Sequence, residues 1–209
     1  MKLAVAVITT PSREASLPKE KGLDLFVYED TDFKGVAWNR NRAMADLYKK
    51  GYDYIAICDD DLIYLHNDWM VKSCEVMADP NWGATYACLP DTIKGFRAGS
   101  VGPYFEHWDS YIGALYILNR HVLDEVGYFS SVFKGYGFED VHYKHRLRQY
   151  YGYVRNPKIL PYMVASMDVL GHNPTPSRTD KEEQMRINEP IFKAEIENGQ
   201  IYYPFTSDE

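Results

Sequence analysis

No apolar stretch in these 209 residues approaches the ~20 needed to cross a bilayer as a helix, so a soluble protein is expected. Met1-Lys2 followed by Leu3-Ala4-Val5-Ala6-Val7-Ile8 is too short a run for a secretory leader, and Thr9-Thr10-Pro11 closes it without a small-residue cleavage site. Cysteine is scarce. Cys58, Cys74 and Cys88 are an odd set whose spacing excludes a thiolate metal centre, which points to three reduced thiols in a cytosolic compartment. Positive charge is in deficit, with 23 Lys and Arg against 30 Asp and Glu and a net charge of −7. That balance excludes a broad electrostatic grip on nucleic acid, though not a local basic groove, so nucleic acid is not the expected partner. Internal repeats, low-complexity tracts and linkers are lacking, and residues 1–209 are expected to form one domain. Aromatic residues are plentiful, at 15% with 18 Tyr, which suits sugar recognition although core packing explains much of such an excess.

Strand-like runs alternate with helix-like ones. Leu3 to Ile8 reads as a first buried strand, and Leu23-Asp24-Leu25-Phe26-Val27-Tyr28 as a second that ends in Glu29-Asp30. Over 36–50, Val36, Ala43, Met44, Leu47 and Tyr48 recur at helical spacing, and Gly51 is a good stop. Tyr54-Ile55-Ala56-Ile57 is a third strand, Asn67-Asp68 can cap a helix through Met77, and 83–89 returns as a strand. Gly95, Gly99 and Gly102 mark 90–108 as an excursion. Residues 111–118 read as a strand, followed by a short helix between Asn119 and Gly127, a charged helix over 139–151, a last strand over 162–169 and a turn at Gly171-His172-Asn173-Pro174. Residues 179–199 are polar and broken by Pro190, and are expected to wrap the surface as helical segments. This alternation predicts an α/β fold with a mostly parallel central sheet flanked by helices, and ligands at the carboxyl ends of its strands.

The strongest chemical signal is Cys58-Asp59-Asp60-Asp61 at the end of the third strand. Three carboxylates there repel one another unless a cation sits among them, which points to a divalent-metal site. A solvated acidic turn fits less well, because Leu62-Ile63-Tyr64-Leu65 resumes apolar at once without turn chemistry. Trp38-Asn39-Arg40-Asn41-Arg42 opens a helix whose arginines could neutralise an anion, or lie on a solvated face. Gly135-Tyr136-Gly137-Phe138-Glu139-Asp140 delivers two carboxylates to another helix start. Capping explains the two acids but not the alternation of glycine with aromatics before them. His172, either a polar loop residue or an imidazole ligand, would complete with Asp59 and Asp61 a donor set suited to manganese.

Together these segments resemble the metal-dependent glycosyltransferases of the GT-A fold, of the family 2 and galactosyltransferase-type inverting groups. Tyr52-Asp53-Tyr54 through Cys58-Asp59-Asp60-Asp61-Leu62-Ile63 to Asn67-Asp68 is similar to their strand and Asp-x-Asp segment. Trp38-Asn39-Arg40 matches their aromatic-Asn-Arg helix start, and Ile112-Gly113-Ala114-Leu115 resembles the glycine-containing strand beside the donor sugar. Gly135 to Asp140 looks like their Gly-Trp-Gly-Gly-Glu-Asp loop, with Tyr136 in place of the tryptophan and Phe138 in place of a glycine. Gly171-His172 falls where their late metal-binding histidine is expected.

The resemblance implies one Rossmann-like GT-A domain. Residues 1–89 would form a nucleotide-binding half, 90–178 an acceptor and catalytic half, and 179–209 a C-terminal surface segment. It implies transfer of a sugar from a nucleoside diphosphate, expected to be UDP, to the hydroxyl of a glycan or other acceptor, with inversion and with Mn2+ or Mg2+ as cofactor. Asp61 and His172 would bind the ion, and Asp59 would orient the ribose or the ion's water shell. Thr9, Pro11, Arg13, Glu29, Asp30, Asp60 and Gly113 would line the donor, with Arg40 and Arg42 facing the diphosphate or base. Asp140 would be the general base and Glu139 would hold sugar hydroxyls. Tyr136 and Phe138 would stack on the acceptor, and 90–108 or 129–137 could close over the donor. The membrane anchor and stem of the animal enzymes have no counterpart here, which suits a bacterial or viral cytosolic enzyme.

Three other readings compete. A haloacid-dehalogenase-type phosphatase also places Asp-x-Asp after a buried strand but wants a Thr where Leu62-Ile63-Tyr64 stands. A sugar-1-phosphate nucleotidyltransferase needs a glycine-rich loop where Thr9-Thr10-Pro11-Ser12-Arg13 stands. A non-catalytic nucleotide-sugar-binding module would keep the pocket without turnover.

Overall fold

Alternate residues of the first strand face opposite layers of the molecule. In the computed structural model, Ala4, Ala6 and Ile8 of β1 (Leu3–Thr9) join one core, and Leu3, Val5 and Val7 join another. The structure describes residues 1–11, 13–64, 69–79, 84–88, 97–101, 105–108, 113–155, 163–165, 170–172 and 180–205. The strands are β1, β2 (Asp24–Glu29), β3 (Tyr54–Asp59), β4 (Leu62–Tyr64), β5 (Ala84–Cys88), β6 (Arg97–Val101), β7 (Phe105–Trp108), β8 (Gly113–Asn119), β9 (Met163–Ala165) and β10 (Leu170–His172). The helices are α1 (Val36–Lys49), α2 (Trp69–Val76), α3 (His121–Glu125), α4 (Glu139–Leu147), continued by a π-helical segment (Arg148–Arg155), and α5 (Lys181–Asn198).

Eight strands form one sheet in the order β2-β1-β3-β8-β5-β9-β7-β6, and β10 pairs with β4 in a small second sheet. Taking β1 as reference, the pairings make β2, β3, β5, β9 and β6 run with it, and β8 and β7 against it. The sheet is mixed, mostly parallel and flanked by helices, as expected. On one face, Ile55, Ile57, Tyr116 and Leu118 pack with Ala43, Met44 and Leu47 of α1, Val122 of α3, and Tyr143 and Leu147 of α4. On the other, Ala56, Cys58, Leu115 and Ile117 pack with Met70 and Cys74 of α2. Burial pushes the Cys58 thiol up to about 12 and the Cys74 thiol likewise, so both behave as apolar packing groups, free of disulfide.

Several expectations change in contact with the three-dimensional pairing. Within 90–108, marked as an excursion, the described residues form β6 and β7, which pair antiparallel and join the sheet through β9. Gly171 and His172 lie in β10 and not in a turn, paired with Ile63 and Leu62. The proposed cap at Asn67-Asp68 lies outside the described residues. α5 runs unbroken through Pro190, although an interior proline removes a hydrogen bond and costs about 3 kcal/mol. Its Asp180 N-cap, which accepts from the Glu183 amide at 3.1 Å, and its contacts with the 130–138 segment offset that loss. Among the described residues, no helix is long and apolar enough to cross a membrane.

Candidate active site

The parallel register brings three strand ends to one edge. Thr9 pairs with Glu29, and Ile8 with Asp59, so Thr9 and Glu29 finish level and Asp59 stands one residue back. Asp60 and Asp61 then turn the chain into β4. The Thr9 hydroxyl donates to Asp60 Oδ2 at 2.6 Å, and Arg13 Nη2 lies 2.8 Å from Asp60 Oδ1 and 3.1 Å from Asp61 Oδ2. Burial raises the Asp60 pKa, the Thr9 and Arg13 contacts oppose the rise, and the neighbouring carboxylates of Asp61 and Asp59 add to it. Arg13 thus places positive charge between two of the carboxylates of the acidic run.

The second arginine is Arg40. It is buried in α1, with Nη2 3.1 Å from Asp59 Oδ1 and Nη1 3.4 Å from Glu139 Oε1. Its guanidinium carbon also lies 5.6 and 5.5 Å from the ring centroids of Tyr116 and Phe129. Burial works against its charge, but Asp59, then Tyr116, Glu139 and Asp140, push its pKa above the ordinary arginine value. Glu139 is itself raised by burial, with Arg40 opposing. Arg40 thus joins the end of β3 to the start of α4.

The asparagines around it hold the helix in place. Asn39 Nδ2 donates to the Tyr28 carbonyl at 2.8 Å. Asn41 takes both backbone groups of Phe129, donating to its carbonyl at 2.9 Å and accepting from its amide at 2.8 Å. Phe129 in turn stacks on Tyr143 of α4 at 4.3 Å. The sequence reading credited Arg40 and Arg42 and gave the two asparagines no role. Arg42 points elsewhere: it donates to the Glu29 carbonyl at 2.9 Å and lies over Trp38 and Tyr28.

The loop before α4 stands beside these groups. Gly135 and Gly137 have positive φ, and so does Phe138 at 71°. A Cβ on Gly35, just before α1, would stand 3.1 Å from the Gly135 amide nitrogen, so the two loops touch backbone to backbone. Tyr136 is half exposed, and burial followed by the nearby charges of Glu139, Asp140 and Asp59 raises its pKa. The Lys181 ammonium sits 4.8 Å from its ring centroid. Asp140 pairs with Lys144 one turn on, at 3.2 Å. The Phe138 ring turns towards Phe192 of α5, 5.1 Å away.

The structure therefore gathers Thr9, Arg13, Asp59, Asp60, Asp61, Arg40, Glu139, Asp140 and Tyr136 around one end of the sheet. Pro11 is half-buried in the turn after β1, and Glu29 is exposed. Asp30 faces its own loop: its oxygens accept from the Lys34 and Gly35 amides at 3.0 and 2.8 Å, which organises the entry to α1. Gly113 opens β8, paired with Cys88.

The donor chemistry of the acidic turn can be tested against a metal ion. Asp60 does not suit one, because each of its oxygens already has a partner. Asp59, 42% exposed, and Asp61, 17% exposed, flank it on the turn. The register of β10 places His172 opposite Leu62, the residue after Asp61. Asp59 and Asp61 offer hard oxygen donors, of the kind a divalent cation such as manganese takes. Among the described residues, no three His, Cys, Asp or Glu side chains converge as a metal site.

No protein-family model matches the sequence, and no curated protein matches it in sequence. Solved structures do match in fold. S. aureus TarS 1–349 superposes with a TM-score of 0.54 at 15% identity, covering 95% of this chain and 66% of that one. The fold is of the GT-A type. TarS 1–349 in complex with UDP gives 0.52 at 18% identity over the same shares of the two chains. A197 from STIV gives 0.50 at 12% identity, covering 84% of this chain and 87% of that one. The chain thus spans about two thirds of TarS 1–349 and most of A197.

Proposed function

We propose that the protein is an inverting glycosyltransferase that moves a sugar from a UDP-sugar to a hydroxyl of a glycan acceptor with a divalent metal. The observation that carries this reading is the Arg40 bridge, which fastens the acidic strand end to the head of α4. One end of the sheet then holds two sets of groups that such a transfer requires. At the strand ends, Thr9, Arg13 and Glu29 face the nucleotide, and the UDP found in the TarS complex supports that choice of donor. At the head of α4, Glu139 and Asp140 face the reacting carbon.

Asp59, Asp61 and His172 would hold Mn2+, or Mg2+, which would supply positive charge for the departing diphosphate. Arg13, which pairs with both Asp60 and Asp61, would have to give up its Asp61 contact to that ion while keeping Asp60. Arg40 acts as an internal counter-ion that sets Asp59 and Glu139, and its direct partners are these carboxylates rather than the diphosphate. Asp140 takes the acceptor proton as the new C–O bond forms, held in orientation by Lys144. Glu139 orients sugar hydroxyls. Tyr136 presents the ring for the acceptor, whereas Phe138 serves it indirectly by packing on α5.

The test is a screen of UDP-sugars with manganese, reading thermal stabilisation and UDP release on addition of glycan acceptors. A ligand at 100 times its dissociation constant stabilises by ~2.7 kcal/mol, which is readily detected. Stabilisation without release across acceptors would favour a non-catalytic nucleotide-sugar-binding module. No stabilisation by any UDP-sugar would refute both.

A further inference from the structure

Capping of α4 does not explain why glycine alternates with aromatics at Gly135-Tyr136-Gly137-Phe138. The cause lies on α5. A Cβ on Gly135 would stand 2.2 Å from Gln184 Oε1, and one on Gly137 would stand 2.9 Å from Met185 Cγ. One turn further along, Asn188 is 1% exposed. Its Nδ2 lies 3.0, 3.0 and 3.1 Å from the carbonyl oxygens of Lys134, Tyr136 and Gly137. Another turn on, Phe192 receives the Phe138 ring. Gln184, Asn188 and Phe192 recur at four-residue intervals, so one face of α5 follows the loop along its length.

This face is held independently of the loop. Glu195 accepts from Ser130 Oγ at 3.2 Å and from the Tyr203 hydroxyl at 2.6 Å. Buried Arg146 donates to the carbonyls of Val126, Tyr128 and Ile201, which pins the chain after α5 to the body of the fold. The chemistry at position 188 is specific. Three carbonyls converge on an amide group with two hydrogens, while Asn188 Oδ1 has no hydrogen-bond partner among the described residues. A leucine of similar volume would leave the three carbonyls without that donor, and a buried unpaired polar group costs about 1–3 kcal/mol. The side chain therefore serves as a donor to the loop.

We propose that Asn188 is a positioning residue: α5 is the template on which the 134–138 loop folds, and Asn188 sets the orientation of Tyr136 and of the α4 head bearing Glu139 and Asp140. Only the catalytic part of this inference rests on the glycosyltransferase reading. The test uses the full chain with Asn188→Ala, and Lys193→Ala as control, since Lys193 is exposed and, among the described residues, pairs along the helix with Glu189. Amide hydrogen exchange over 134–138 accelerates about tenfold in Asn188→Ala and is unchanged in the control. UDP affinity stays within about twofold, while turnover falls about tenfold or more and the acceptor KM rises. A role in stability alone would instead lower the melting temperature and weaken UDP binding together, with acceptor KM unmoved, and that result overturns the proposal. So does exchange that is unchanged in the loop or raised evenly over the chain. If Asn188→Ala does not fold, Gly137→Ala strikes the same face of α5 from the loop side, against Met185, and must reproduce the local acceleration; its failure to do so also overturns the template. A wild-type chain without transferase activity would defeat the glycosyltransferase reading, and the exchange experiment would still decide the template.

Discussion

Replacing Arg40 by Met would keep the alkyl stem against Tyr116 and Phe129 and remove the charge between Asp59 and Glu139. Removing one partner of a buried ion pair costs about 3–5 kcal/mol, because the other charge stays behind without compensation. Here the two carboxylates differ. The Asp59 side chain is 42% exposed, so water takes over and its share is under about 1 kcal/mol. The Glu139 side chain is 7% exposed and carries the rest. We expect a loss of about 3 kcal/mol at pH 7.5, read by urea denaturation.

The pH dependence follows from Glu139. Burial raises its pKa and Arg40 opposes the rise, so removing Arg40 raises it further. A carboxyl whose folded pKa exceeds its unfolded value binds more protons when folded. Its stability is complete below the unfolded pKa and is lost as pH rises through the folded one. The gap between wild type and Arg40→Met should therefore narrow from pH 7.5 to pH 5.5. Adding Glu139→Gln should recover most of the loss at pH 7.5. A gap that is constant with pH and not rescued by Glu139→Gln would refute the bridge as the source of stability.

Three further outcomes are expected. Asp61→Ala should abolish manganese-dependent UDP binding in calorimetry while changing stability by less than about 1 kcal/mol, since its Arg13 pair is partly exposed and Arg13 keeps Asp60; unchanged manganese dependence would remove Asp61 from the ligand set. His172→Ala should weaken manganese binding and shift the activity ratio towards magnesium, because an imidazole favours the softer ion; an unmoved ratio and affinity would count against His172. Buried His142, beside Phe133 and Tyr203, has a pKa lowered to about 3 by burial, with Arg146 and His145 adding to the effect. Its neutral form stabilises the fold fully above the unfolded pKa near 6.5, and that stability is lost as pH falls. His142→Phe should flatten this acid limb, whose slope is at most about 1.4 kcal/mol per pH unit; an unchanged limb in urea titrations would place the sensitivity elsewhere.

Much of the β1–β3 half was legible because its signals are local. Alternating burial in β1, the helical spacing over α1 and the left-handed Gly51 after it all lie within single elements. Asp59 to Asp61 at a strand end follow from the apolar run before them. The partners of those acids were not legible. Arg13 precedes the acidic turn by more than forty residues, and Glu139 follows Arg40 by 99, so only the tertiary fold brings them together. The direction of β8 was hidden for the same reason: a buried strand has the same apolar pattern whichever way it runs. Pro190 misled because a local rule was applied to a helix held by tertiary contacts. Asn188 carried no signal at all, since a lone polar residue in a polar segment is also what a solvated helix would show.

The central claim is that this end of the sheet performs sugar transfer with Asp140 as the base, and Asp140→Asn tests it most directly. The substitution keeps side-chain shape and an accepting oxygen but removes the capacity to take a proton. With wild type and variant side by side, UDP-sugar binding by calorimetry should agree within about twofold, while UDP release in the presence of acceptor falls about 100-fold or more. NMR of fresh wild-type product should show the anomeric configuration opposite to the donor's. Full turnover by the variant, or retention of configuration in the product, would contradict the account.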